Sequence, residues 1–151
     1  MVGVAIVAIF ASMGAASFSS VTGRARVAAE ASDLLHAIEL ARAEAMKRQA
    51  RVTVAPIDQG WTSGWAVFID SNANRRWDTN EPLVLRHRAL SPSTTLTSDT
   101  TPGYVAFGSQ GRPIQYSGAF LAGTIAFCDG RVSKSIVIAK SGRPRVQTAT
   151  C

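Results

Sequence analysis

Residues 1–50 read MVGVAIVAIFASMGAASFSSVTGRARVAAEASDLLHAIELARAEAMKRQA, and the fold turns on them. No charged side chain appears before Arg24, and within residues 1–18 only Ser12 and Ser17 are polar. A spanning helix needs roughly 20 apolar residues, so the run is close to membrane length. Beyond Ser20 the pattern becomes amphipathic. Val27, Ala31, Leu34, Ile38, Ala41 and Ala45 recur at spacings of four and three, Leu35 widens the stripe, and Glu30, Asp33, Glu39 and Arg42 lie largely off it. Pro is absent, Ala is abundant, and Glu44 with Arg48 makes a favourable i,i+4 pair. One continuous helix from about residue 2 to about residue 50 is expected, apolar all round in residues 1–20 and amphipathic over 21–50. Such a helix has one part in lipid and the other laid on a soluble core.

Three readings compete for residues 1–18. A signal peptide begins with Lys or Arg and ends at a small-residue cleavage site; no basic residue precedes the run, though 15–17 offers such a site. A buried helix that is apolar all round needs a larger protein around it. A membrane anchor meets a charge conflict, because Arg24 and Arg26 follow the run and draw that side towards the cytoplasm. The conflict vanishes if a basic leader precedes Met1, so the sequence is expected to be the later part of a longer chain.

After Arg51 the period changes to two. Strands are expected at 51–56, 65–69, 83–88, 104–107, 124–127, 135–139 and 145–147, with Gly, Pro, Asn, Asp and Ser between them. The expected class is α+β, with a long N-terminal helix leading and its amphipathic half packed on one antiparallel β-sheet domain over 51–151. A chain of 151 residues leaves no room for a second catalytic domain. Two cysteines and two histidines are too few for a thiolate zinc site or a His-based metal centre. No GxSxG elbow, phosphate loop or HExxH motif occurs, so no enzyme and no cofactor are expected.

A half-apolar helix followed by a small β domain resembles the type IV pilin architecture. Ser32–Leu35 and then Ala41-Arg42-Ala43-Glu44-Ala45-Met46-Lys47-Arg48 are similar to the helix signature of minor pilins and pseudopilins of the FimT/FimU/GspH type. Val52-Thr53-Val54, Trp61, Gly64-Trp65-Ala66-Val67-Phe68-Ile69-Asp70, Glu81-Pro82-Leu83, Phe107 with Gly111-Arg112, Thr124 to Asp129 and Gly142-Arg143-Pro144-Arg145 continue the likeness over nearly the whole chain. The resemblance implies a subunit of a type IV pilus or of a type II secretion pseudopilus. Its helix would be held in the bacterial inner membrane as a single pass, with the β domain in the periplasm, and then packed among other pilins. The family's processing motif, a Gly followed by Phe-Thr-Leu-x-Glu, is missing, so peptidase cleavage and N-methylation are assigned to no residue. Ala55 stands where the family often has Cys.

Charge adds one expectation. Thirteen of the sixteen basic residues are Arg, and residues 112–151 carry +5 of the net +6. Among FimT-like members the resemblance implies DNA binding through a Gly-Arg-x-Arg tail during DNA uptake. Here that segment is Gly142-Arg143-Pro144-Arg145, read as a rigid loop, with Arg131, Lys134 and Lys140 extending the surface. Guanidinium groups suit phosphate, and with no interleaved aromatics the contact to double-stranded DNA would be nonspecific. The alternative is a GspH-type secretion pseudopilin without DNA binding, its arginines facing water or a neighbouring subunit. Cys128 and Cys151 form the only possible intrachain pair, a disulfide in an oxidising compartment and two free thiols in a reducing one. Asp70, Asn72, Asn74, Asp78 and Glu81 occupy positions 1, 3, 5, 9 and 12 of a calcium-loop pattern, but Arg75 stands where that loop needs Gly. A hairpin loop with Asx turns is the expected reading, and no metal is assigned. Trp61, Trp65 and Trp77 are expected to pack in the core or on a sheet face, and His36 and His87 to be ordinary residues.

Overall fold

Alanine-rich sequence without proline propagates a helix at little entropic cost, and α1 runs unbroken over Val2–Arg48. The computed structural model describes the backbone of residues 2–99, 103–139, 141–149 and 151, and the side chains of residues 21–99, 103–139, 141–148 and 151. The apolar run of residues 1–20 therefore lies outside the described side chains. Among the described residues no helix is long and apolar enough to cross a membrane. The helix stops where Gln49 enters the left-handed region at φ 52°, and the Ala50 N–H donates back to the Ala45 carbonyl.

Among the described side chains of α1, burial begins at Val27. Val27, Ala31, Leu34, Ile38, Ala41 and Ala45, the whole expected stripe, are buried, and Ala37 joins them. Small side chains at 31, 37, 41 and 45 bring the helix close to the sheets. Glu30 departs from expectation: it is buried, because its carboxylate accepts the Ser91 backbone N–H at 3.0 Å, which offsets part of its desolvation.

Among the described residues eight strands follow: β1 (Val52–Pro56), β2 (Trp65–Ile69), β3 (Leu83–Arg86), β4 (Thr95–Ser98), β5 (Val105–Phe107), β6 (Gly123–Cys128), β7 (Ser133–Ile138) and β8 (Pro144–Ala149). They make two four-stranded antiparallel sheets rather than one, ordered β3-β2-β1-β5 and β4-β6-β7-β8. The helix touches both sheets. β1 and β2 are buried on both faces except at their last residues, so they read as near-continuous apolar runs. β4 was not expected. Its Thr-Leu-Thr-Ser sequence is mostly exposed at a sheet edge and looks like loop.

A 3-10 turn, Trp61–Ser63, leads into β2 through Gly64. Gly64 has φ 95°, and a Cβ there would lie 2.8 Å from the Arg88 carbonyl carbon; only glycine fits both constraints. Trp61 and Trp65 are buried and Trp77 is partly buried against the core. Phe68, Phe107, Phe127, Leu34, Ile38 and Leu121 fill the centre.

Candidate functional site

The basic residues singled out from the sequence lie on the β7–β8 hairpin and the turn before it, but at opposite ends. In the antiparallel register Ile138 faces Pro144 and Lys134 faces Thr148. Arg143 lies just before β8, beside Glu39, Arg42 and Met46 of the far part of α1. Arg131 and Lys134 lie at the near part, where they share a cleft with Arg24, Ala25 and Ala28. Arg143 and the Thr148 that pairs with Lys134 are five residues apart, about 17 Å along an extended strand. Lys140 lies outside the described residues.

Gly142-Arg143-Pro144-Arg145 is not a rigid loop. Gly142 makes the turn at φ 75°, its N–H donating to the Ala139 carbonyl, and Pro144 opens β8. The turn is seated from beneath: the Arg42 guanidinium donates to the Gly142 carbonyl at 3.2 Å. A Cβ on Gly142 would lie 2.7 Å from the Gly111 carbonyl. Arg143 and Arg145 are both exposed, on either side of Pro144 at the start of β8.

Cys128 and Cys151 are joined by a disulfide, with Cα atoms 5.7 Å apart. Cys128 ends β6, its neighbour Ser133 begins β7, and Ser133 pairs with Ala149 of β8. The bond thus straddles β7 and ties the tail beyond the edge strand β8 to β6.

The carboxylates of the 70–81 loop serve the loop itself. Asp70 accepts the N–H of Asn74 at 3.2 Å and of Arg75 at 2.8 Å, and Glu81 accepts those of Ser71 and Asp78. The amides of Asn72 and Asn74 both donate to Asp78 at 2.7 Å. These are Asx-type closures of a hairpin loop, with Ala73 and Arg75 in the left-handed region. Among the described residues no group of three or more His, Cys, Asp or Glu is placed to hold a metal ion.

Asp70 also receives the Tyr116 hydroxyl. That phenol's proton goes to Asp70, so Thr53 is the donor in the 2.7 Å contact between the Thr53 and Tyr116 oxygens. The Arg51 guanidinium stands 4.5 Å over the Tyr116 ring, and the Tyr116 N–H donates to the Tyr104 oxygen at 3.0 Å. Burial, and then the Asp70 carboxylate, push the Tyr116 phenol well above its ordinary range. A raised folded-state pKa favours the protonated folded form, so its stabilisation is complete below the free phenol's pKa of about 10 and is lost as pH rises above it. Alkaline titration followed by tyrosinate absorbance should show Tyr116 ionising only as the fold opens.

His87 is less ordinary than its sequence context indicates. Its ring stacks on Trp65 with centroids 3.9 Å apart, and Nε2 lies 3.3 Å from Asp33 on the helix. The two partners are 54 positions apart, so no local motif announces them. Arg24 was also missed as a companion of Arg131 and Lys134, because it comes from the other end of the sequence.

The profile of the family described as Type II transport protein GspH matches residues 30–142, which is most of the chain. The chain belongs to the GspH family. The matched residues run from the buried half of α1 through the Gly142 turn, so the GspH match covers the helix and both sheets except the edge strand β8. Pilin-like protein PilA1 of Thermus thermophilus is 27% identical over 115 residues, 71% of this chain and 69% of that protein. The type IV minor pilin FimU of Pseudomonas aeruginosa superposes with a TM-score of 0.64 at 18% identity, over 85% of this chain and 91% of that one. The minor pseudopilin EpsH of the type 2 secretion system of Vibrio cholerae superposes at 0.56 and 13%, over 82% and 97%. These last two likenesses establish the pilin-like α+β fold.

Proposed function

We propose that this GspH-family chain is a minor pilin or pseudopilin subunit whose role is assembly rather than catalysis. It waits in the bacterial inner membrane as a single pass with the β domain in the periplasm, then enters a type IV pilus or type II secretion pseudopilus by packing the first part of α1 among other pilins. The observation that carries this is the division of one 47-residue helix. The part from Val27 onward is buried on the chain's own sheets, whereas residues 1–18 are apolar with no charge. An apolar helix segment needs lipid or other helices around it. The disulfide fits a periplasmic domain. The test is fractionation of an envelope expressing the full chain and a form lacking residues 2–20. The full chain should co-purify with membranes and with sheared filaments, while the shortened form should fold and be released. Equal recovery of both in the filament fraction would refute the reading.

A second reading is supported by Arg143 and Arg145. Both are exposed at the hairpin end, and among the described residues neither is paired with a carboxylate. Two guanidinium groups so placed suit neighbouring phosphates of double-stranded DNA. Arg143→Gln with Arg145→Gln should then weaken retention of duplex DNA in a low-salt gel shift, with a smaller salt slope of about two fewer released counterions. Unchanged binding would leave the chain as a secretion-type or pilus subunit without DNA contact.

A further inference from the structure

Arg24 from the helix, Arg131 from the β6–β7 turn and Lys134 from β7 converge on one cleft of about 560 Å³, also lined by Ala25, Ala28 and Thr148. Lys134 reaches Thr148 with a 3.1 Å hydrogen bond, and among the described residues none of the three cations is paired with a carboxylate. The Asp129 carboxylate closes its own turn with one oxygen and faces Gly23 of the helix with the other. It accepts the N–H groups of Val132 and Arg131 at 2.9 and 3.0 Å, and these contacts, with a smaller pull from the Arg131 charge, hold it below the usual carboxylate range. That turn sits tightly on the helix, since a Cβ at Gly23 would run into the Asp129 carboxylate.

The position of the cleft names its partner. The uncharged apolar run ends near Ser20, and in the membrane reading that end of the run meets the edge of the hydrocarbon layer. Arg24 lies about 6 Å further along the axis, within the headgroup layer of roughly 5–7 Å that flanks the hydrocarbon. Cations directly after an apolar segment oppose export of the domain that follows, and the cleft supplies a compensating reason for them.

We propose that the Arg24–Arg131–Lys134 cleft binds the phosphates of anionic membrane lipids, docking the β domain on the bilayer surface before the subunit is drawn into a filament. This rests on the membrane reading above. The favoured source is lipid rather than nucleic acid because a duplex approaching this end would have to lie against the bilayer. Each cation near an anionic surface contributes about fivefold, so three of them form a strong contact, sensitive to salt.

The test uses the full chain in nanodiscs of phosphatidylcholine alone and in nanodiscs containing phosphatidylglycerol. Hydrogen exchange at the amides of residues 129–132 should slow by about tenfold or more in the anionic discs. Arg24→Gln, Arg131→Gln and Lys134→Gln together should abolish that difference, while Arg143→Gln with Arg145→Gln should leave it intact. Insertion of the chain with equal exchange in both lipids overturns the lipid contact and leaves the membrane reading standing. Failure of the chain to insert in either disc overturns both. Duplex DNA slowing these amides in neutral discs, where phosphatidylglycerol has no effect, would reassign the cleft to nucleic-acid phosphate and overturn the proposal.

Discussion

Truncation of Leu34 to Ala is expected to destabilise the β domain by about 3 kcal/mol, the cost of deleting a large buried aliphatic group and leaving a cavity. Leu34 is fully buried in the middle of the helix stripe, on a helix that packs against both sheets, and its removal opens space that no neighbouring small residue can close. Ala31, Ala37 and Ala41 already bring α1 close to the strands, so the backbone has little room to collapse inward. For a domain of this size, Tm measured on the full chain in detergent should fall by roughly 10 °C. Replacement of Leu35, which is only partly buried, should cost clearly less. Equal losses at the two positions would show that the helix does not present the face described.

Loss of the disulfide is the second large effect. The bond closes a loop with a sequence separation of 23, worth about 3 kcal/mol in the chain-entropy account. Its structural consequence is local as well. β8 is an edge strand held by β7 alone, and the bond across β7 keeps its end in place. Cys128→Ser with Cys151→Ser should lower Tm by roughly 10 °C and raise hydrogen exchange first at the β8 amides, near Val146 and Thr148, before the β1–β2 pair. Uniform exchange across both sheets would show that the bond stabilises the whole unit without fixing the edge strand. Because Arg143 and Arg145 flank the start of β8, the same substitution tests whether their placement depends on the tether.

The helix was legible because its signal is long and regular. Every expected stripe residue from Val27 to Ala45 is buried, and no Pro or internal turn interrupts it. β1 and β2 were legible for a related reason, since Val52 and Val54, or Val67 and Phe68, are β-branched or aromatic residues in short apolar runs. The division into two sheets was not legible. It depends on pairings such as Val52 with Phe107 and Thr95 with Cys128, which join distant segments and leave no local trace. β4 failed for want of apolar content. Glu30 was placed off the packed face because its charge argued for solvent, whereas the Ser91 N–H sixty-one positions away makes burial tolerable. The basic residues were visible as composition, but their partition between two ends of a hairpin follows from the β7–β8 register and the line of α1.

The central claim is that one helix serves two masters, its later part bound to its own sheets and its first part bound to sister helices. A photocrosslinking residue placed at Ile9, within the uncharged run, tests it most directly in cells carrying the assembled filament. Adducts at the mass of this chain plus another pilin, absent when the same residue is placed at exposed Asp99, are the predicted result. Irradiation that yields only uncrosslinked chain from Ile9 in the filament fraction would contradict the account.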